Sequence, residues 1–311
     1  MNIYELSFPH SLIKDDIPDT VSAIGFFDGI HRGHQKVINE AIRRAEENNM
    51  ESAVITFHPH PLVVLKGEHH VNYITPLKEK IEIMKGLGVD RLYIIDFNKE
   101  FSKLSPQEFV DQFIIGLNIK HLVAGFDYTF GHKGKGNMEN ISEYTRDKFS
   151  YTTVEKVSLD HEKVSSTRIR KLLREGNIEE ANELLTRPFK LRGIVIRGDQ
   201  RGREIGFPTA NLQVDKQALL PKPGIYAVKV LYKNETYFGM ASIGTNPTFT
   251  AEREDLSIEV NILDYNNNLY GQELTVEWYK YMREEEKFDS VEALIEQIKL
   301  DEVNIRRFFS I

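Results

Sequence analysis

Between residues 20 and 125 the chain alternates short apolar runs with amphipathic stretches, and past Arg187-Pro188 that alternation stops. Val21–Phe26, Ala53–Phe57, Arg91–Phe97 and His121–Gly125 read as strands. Val37, Ile38, Ala41, Ile42 and Ala45 recur at helical spacing between the first two. Thr75-Pro76 is expected to open another helix, with Thr75 as N-cap, and Ser105-Pro106-Gln107-Glu108 has the form of a capping box. Strands separated by helices predict a parallel sheet covered by helices. Two short helical stretches follow, Ile169–Glu175 and Ile178–Leu185. Strand-like runs then dominate: Lys190–Arg197, Gly224–Tyr232, Thr236–Ile243, Leu256–Leu263 and Leu274–Tyr279, with Asn234 in a hairpin turn. This back half predicts a small antiparallel β-barrel closed by a C-terminal helix, capped by Asp289 and striped with Val291, Leu294, Ile295 and Ile298. At roughly 150 residues per domain, the 311-residue chain divides into 1–186 and 187–311.

Composition narrows the function. The chain is 41% hydrophobic and 28% charged, with a net charge of −7 and no long basic run. Phosphate neutralisation on a nucleic acid needs clustered Lys and Arg, so no nucleic-acid partner is expected. There is no cysteine, hence no disulfide, thiolate metal site or Cys nucleophile. No apolar stretch approaches the ~20 residues that span a bilayer. The N-terminus MNIYELSFPH lacks the layout of a signal peptide. A soluble cytoplasmic protein without a membrane partner is expected.

The segment Gly25-Phe26-Phe27-Asp28-Gly29-Ile30-His31-Arg32-Gly33-His34 lies between the first strand and the first helix. Ligands bind at the carboxyl ends of strands in open parallel sheets, and the next helix N-terminus offers N–H groups to an anion. Gly29 and Gly33 permit close backbone approach, and His31 and His34 can both donate to a phosphate. A glycine-rich turn with two surface histidines would look the same in isolation. The ordered strand, glycine, acid, histidine and helix favour the phosphate site. Metal ligation is disfavoured, because His at i and i+4 suits zinc better and no third ligand stands nearby.

Lys163-Val164-Ser165-Ser166-Thr167-Arg168-Ile169-Arg170 clusters hydroxyls before a helix and two arginines inside it. Capping alone accounts for the hydroxyls. Arg168 and Arg170 add counter-charge for a triphosphate, which phosphoryl-type transfers need more than covalent help.

In the back half, residues 197–211 hold Gly198, Arg203, Gly206, Pro208, Thr209 and Asn211 in a basic, glycine-rich loop that enters a strand. It lacks the Gly-Lys-Ser/Thr ending of a P-loop. Thr209 and Asn211 share a face and offer hard oxygen donors of the kind Mg²⁺ takes. A basic surface loop leading into an edge strand is the plainer alternative. Glu259 occupies the polar face of Leu256–Ile262 with Ser257 and Asn261. That face suits a carboxylate acting on an alcohol and equally a solvated surface.

These motifs carry a resemblance. His-x-Gly-His with a distant Ser-Ser-Thr-x-x-Arg resembles the nucleotidylyltransferase superfamily. With Thr56–Pro61, Leu104–Phe109, Gly125–Gly131 and Pro208-Thr209-Ala210-Asn211, the chain resembles the prokaryotic bifunctional riboflavin kinase/FAD synthetases over nearly its whole length. Tyr128 stands where Phe is usual and Arg197 where many relatives have His. The resemblance implies a Rossmann-like front domain that transfers AMP from ATP to FMN, and a rear domain that phosphorylates riboflavin. It implies His31, His34, Arg168 and Glu259 as catalytic, and Gly25, Phe26, Asp28, Gly29, Gly33, Ser165, Ser166, Thr167 and Arg170 as ATP-binding in front. At the rear it implies Gly198, Arg203, Gly206 and Pro208 on ATP, with Thr209 and Asn211 on Mg²⁺. Phe57, Asp127, Tyr128, Asn246 and Arg283 are implied as flavin-binding. Implied small molecules are ATP, Mg²⁺, riboflavin, FMN and FAD. Two rivals are a monofunctional adenylyltransferase with a degenerate rear domain, which Thr209, Asn211 and Glu259 argue against, and a non-catalytic flavin-binding regulator.

Overall fold

The computed structural model describes residues 1–67, 71–198, 201–245 and 256–311, which form two compact units, Met1–Ser166 and Thr167–Ile311.

The first unit runs β1 (Asn2–Leu6), β2 (Thr20–Ile24), α1 (Arg32–Glu47), β3 (Glu51–His58), α2 (Pro61–Lys66), α3 (Leu77–Gly86), β4 (Arg91–Asp96), α4 (Pro106–Val110) and β5 (Ile119–Gly125). A short pair, β6 (Thr129–Phe130) and β7 (Gly136–Asn137), precedes β8 (Ser150–Val154). A second short pair, β9 (Ser158–Leu159) and β10 (Glu162–Lys163), ends the unit. Six parallel strands take the order β1-β4-β3-β2-β5-β8. Every residue of β2 is buried, as expected of a central strand with both faces covered. On one face, Val37, Ile38, Ala41 and Ala45 of α1 pack with Val21, Ala23, Val54 and Val123. On the other, Phe109 and Phe113 pack with Ile24, Ile55, Tyr93 and Leu122.

The chain leaves β2 toward β3 and β4, then crosses back to place β5 on the opposite side of β2. The strand order therefore reverses between β2 and β5, where a parallel sheet opens a ligand crevice. The Ser105 capping box forms as expected: Oγ accepts from Glu108 N, and the Glu108 carboxylate accepts from Ser105 N. Ser105→Ala should cost ~1 kcal/mol, read as a lower unfolding midpoint of this unit. Thr75, by contrast, does not cap α3. Pro76 is the N-cap, and the Thr75 N–H donates to the Asp28 carboxylate.

The second unit holds α5 (Ser166–Glu175) from its second residue on and α6 (Ile178–Leu185). The barrel strands are β11 (Phe189–Ile196), β12 (Ala210–Val214), β13 (Gly224–Tyr232), β14 (Glu235–Thr245), β15 (Leu256–Ile262) and β16 (Glu273–Arg283). A single turn of helix, α7 (Arg201–Glu204), lies between β11 and β12, and α8 (Val291–Phe309) ends the chain. The six strands close in the order β11-β12-β15-β14-β13-β16, all antiparallel. Val228, Val230, Ile243, Val260, Val276 and Trp278 are fully buried in this unit. The β13–β14 turn places Lys233 and Asn234 at φ 47° and 66°, the left-handed pair of a tight hairpin.

The C-terminal helix differs from expectation at its start. Ser290, not Asp289, is the N-cap, with Oγ accepting from Ala293 N. Val291 is 54% exposed. The contact with the barrel comes later, through Ile298, Ile305 and Phe309 against Met240 and Leu263. α6 is tied to the barrel by Asn182, whose amide donates to Trp278 O and accepts from Phe189 N.

Candidate active sites

The turn after β2 forms the floor of the first site. Phe27, Gly29 and Ile30 have φ of 54°, 87° and 38°, a left-handed path that only Gly29 takes without strain. Four elements hold it. Lys80 Nζ donates to Phe26 O (2.7 Å) and Thr56 Oγ1 (3.3 Å), and Thr56 Oγ1 donates to the same carbonyl (3.0 Å). Asp28, 2% exposed, accepts from the N–H groups of Ile74 and Thr75. Ser166 Oγ donates to Asp28 O (2.8 Å), and Gln35 Nε2 to Ile30 O (2.9 Å). Burial pushes the Lys80 ammonium down to about 8, and the Asp28 charge opposes the shift.

His31 is the N-cap of α1, its Nδ1 accepting from His34 N at 3.2 Å. The two imidazoles stack at 3.7 Å and 17°, and Phe27 packs edge-on to His34. Gly33 leaves room for the His31 ring, which a Cβ would meet at 3.2 Å. The sixteen-residue α1 turns its positive dipole end toward this pair.

A cleft of about 710 Å³ opens here, at the strand reversal. Gly25, Phe26, Phe27, His34 and Phe57 line one part, and Asp127, Tyr128 and Phe130 another. The histidine turn, at the end of β2, thus shares one cavity with the Asp127 segment, which begins at the end of β5. The cavity also has aromatic walls: Phe109, the last residue of the Leu104–Phe109 segment, and Phe97 and Phe101, which the sequence motifs do not include. Asp127 pairs with Lys163, whose ammonium lies 4.6 Å from the exposed Phe126 ring.

At the start of α5, Ser165 is half-buried and Thr167 exposed. Arg168 is held by Glu180 of α6 at 2.7 Å, and Arg170 is half-buried on the same helix. Glu180 escaped sequence reading because a carboxylate near the start of a helix ordinarily reads as a favourable dipole partner.

The barrel carries the second site. Thr209 Oγ1 donates to Glu259 Oε2 at 2.9 Å, and Asn211 is the cross-strand partner of Glu259. The three candidate residues therefore meet, though 50 positions separate Thr209 from Glu259. Gly198 leaves room beside them, because a Cβ there would fall 2.4 Å from the Asn211 amide and push that side chain aside. Asn261, 8% exposed, fixes the loop entry through Pro208 O at 2.8 Å. A pocket of about 490 Å³ is lined by Arg203, Pro208, Thr209 and the 265–270 segment, including Tyr265 and Tyr270. Gly206 takes φ 88° in the same loop. Arg283 forks onto Asp301 of α8, with contacts of 2.6–3.1 Å, and Asp301 is only 4% exposed. Its guanidinium thus ties β16 to α8. Asn246 lies outside the described residues.

Two family models match in tandem. FAD synthetase covers residues 13–168 and riboflavin kinase covers residues 185–309. The chain belongs to the bifunctional riboflavin kinase/FMN adenylyltransferases. It is 48% identical to the enzyme of that name from Listeria monocytogenes, over 97% of this chain and 96% of that one. It is 46% identical to the Bacillus subtilis enzyme, over 100% and 99%. A solved structure from Streptococcus pneumoniae described as a macrolide-efflux protein superposes with a TM-score of 0.88 at 37% identity, over 98% of this chain and 99% of that one. Efflux is that protein's description; no helix among the described residues here is long and apolar enough to cross a membrane. Riboflavin phosphorylation and adenylyl transfer to FMN are thus joined in one chain.

Replacing Gly198 with Ala should displace Asn211 and lower riboflavin phosphorylation at least ~10-fold, in line with misplaced catalytic groups. FAD formation from supplied FMN should not change, and assaying the two reactions separately checks both statements.

Proposed function

We propose that the front cleft of 1–186 performs adenylyl transfer and that the barrel of 187–311 performs riboflavin phosphorylation, with the residues assigned as follows. In front, an FMN phosphate oxygen attacks the α-phosphorus of ATP. The bond from that phosphorus to the bridging oxygen breaks, and pyrophosphate leaves. His31 and His34, at the N-terminus of α1, donate to phosphate oxygens as charge moves onto them. Gly25, Phe26, Asp28, Gly29 and Gly33 shape the turn that receives ATP, and Ser165, Ser166, Thr167, Arg168 and Arg170 add donors and counter-charge. Phe57, Asp127 and Tyr128 form the flavin side of the cleft. What supports this reading is one cavity that brings the His34 turn together with the Asp127 segment at the strand reversal.

In the barrel, the riboflavin 5′-hydroxyl oxygen attacks the γ-phosphorus of ATP. The bond to the β–γ bridging oxygen breaks and ADP leaves. Glu259 takes the hydroxyl proton and orients the alcohol. Gly198, Arg203, Gly206 and Pro208 line the approach of ATP. The carrying observation is the Thr209–Glu259 hydrogen bond with Asn211 paired across the strands. Thr209 and Asn211 present hard oxygen atoms, and the missing Cβ of Gly198 keeps Asn211 approachable, so these residues fit Mg²⁺. The metal, when bound there with ATP, supplies charge neutralisation at the phosphates. Asn246 and Arg283 complete the flavin assignments, Arg283 through the seam it fixes with α8. The enzyme works in the cytoplasm on small molecules, without nucleic-acid or membrane partners.

Incubating the chain with riboflavin, ATP and Mg²⁺ and separating the flavins over time tests the reading. FMN should appear first and FAD after it. FMN alone would remove the front assignment, and FAD only from supplied FMN would remove the rear one.

A further inference from the structure

Lys80 stands apart from the machinery just described. It is 3% exposed, and no other lysine or arginine among the described residues is buried. Its ammonium contacts a backbone carbonyl, a threonine hydroxyl and the Phe26 ring at 4.4 Å. No carboxylate lies within ion-pair distance of it among the described residues. Burying a charge this way costs several kcal/mol, and a Met of similar length would fill the space without that cost. Fold stability alone therefore does not account for a lysine here.

The contacts show what the lysine adds. Phe26 O is the last carbonyl before the left-handed Phe27, and it receives hydrogen bonds from both Lys80 and Thr56. In return, Asp28 of the same turn holds Ile74 and Thr75, just ahead of the helix that carries Lys80. The turn and α3 thus clamp each other in both directions. Backbone in sparsely populated φ/ψ regions costs about 1–3 kcal/mol per residue and persists only where its surroundings over-determine it.

We propose that Lys80 is a positioning residue for adenylyl transfer: by holding Phe26 O it sets the path of the turn that presents His31 and His34 to the phosphates. This rests on the assignment of those histidines to the front site. Lys80 touches no substrate; it acts through the peptide that follows Phe26.

The test uses the full chain with Lys80→Met, Thr56→Val and the double variant. Thr56→Val removes the second donor to the same carbonyl while keeping side-chain shape. For each, kcat and KM for FAD formation are measured beside FMN-binding stoichiometry by calorimetry, with riboflavin phosphorylation as a control in the same preparation. Lys80→Met should lower kcat for FAD formation by about ten- to a hundredfold, with wild-type stoichiometry and an unchanged kinase rate. Thr56→Val should move kcat the same way, and the double variant should lose less than the product of the two. A Lys80→Met rate within twofold of wild type, or one reduced only in proportion to the lost FMN-binding fraction, overturns the proposal. If Lys80→Met fails to fold, Thr56→Val decides: full stoichiometry with wild-type kcat overturns it, and full stoichiometry with reduced kcat upholds it. His34→Ala run alongside separates the two levels: a wild-type rate there would remove the histidine assignment itself.

Discussion

Glu259→Gln is expected to abolish most riboflavin phosphorylation, lowering the rate on the order of 10²–10⁴-fold, while FAD formation from supplied FMN is unchanged. The amide keeps the side chain's shape and can still accept the Thr209 hydroxyl at 2.9 Å. It cannot take the proton of the attacking alcohol. The barrel should therefore stay folded, with its unfolding midpoint near wild type, and the loss should lie in kcat. A variant that phosphorylates riboflavin normally would show that the carboxylate is a partner for Thr209 and nothing more. Loss of both activities together would point to unfolding, because Glu259 lies in the second compact unit and the histidine cleft in the first.

The mirror-image prediction concerns His34. His34→Ala should lower FAD formation from FMN by ~10²–10³-fold, the effect of losing one preorganised donor to developing charge, and leave riboflavin phosphorylation intact. His34 sits in the first turn of α1, stacked on His31 at 3.7 Å, and lines the cleft. His31→Ala would be harder to interpret, because His31 also caps the helix. His31→Asn avoids this, since Asn is among the best N-caps. A fall in FAD formation with unchanged helix stability would then belong to the imidazole.

Much of this was legible because local pattern and tertiary fate agree. The Val37, Ile38, Ala41 and Ala45 stripe is the buried face of α1, and the Ser105–Glu108 box forms as written. The strand Gly224–Tyr232 matches its predicted bounds, because the left-handed Lys233-Asn234 pair that follows stops it. Where the pattern misled, the deciding contact was remote. Thr75 resembles a cap, yet its N–H is claimed by Asp28, 47 residues away. β1 leaves no sequence signal, because its residues are largely exposed and carry little periodicity. β16 extends past Tyr279 to Arg283 because β13 keeps pairing with it, Tyr226 opposite Tyr281 and Ile225 opposite Arg283, in a stretch that sequence alone renders as a charged lead-in.

The candidate sites divide along the same line. His31 and His34 are neighbours in sequence, so their strand–turn–helix setting could be read directly. Thr209 and Glu259 meet only because β12 and β15 pair in a closed barrel. Lys80 sits in Leu77-Lys78-Glu79-Lys80, a run that reads as a solvated helix face. Only the packing of α3 shows that this one ammonium points inward.

The central claim, two reactions in two separate sites, is tested most directly by mixing purified His34→Ala with Glu259→Gln and supplying riboflavin, ATP and Mg²⁺. Alone, the first should stop at FMN and the second should leave riboflavin untouched. Together they should make FAD, because FMN released by one barrel enters the cleft of the other chain. Failure of the mixture to form FAD, with each variant still performing its remaining reaction when tested alone, would contradict the account.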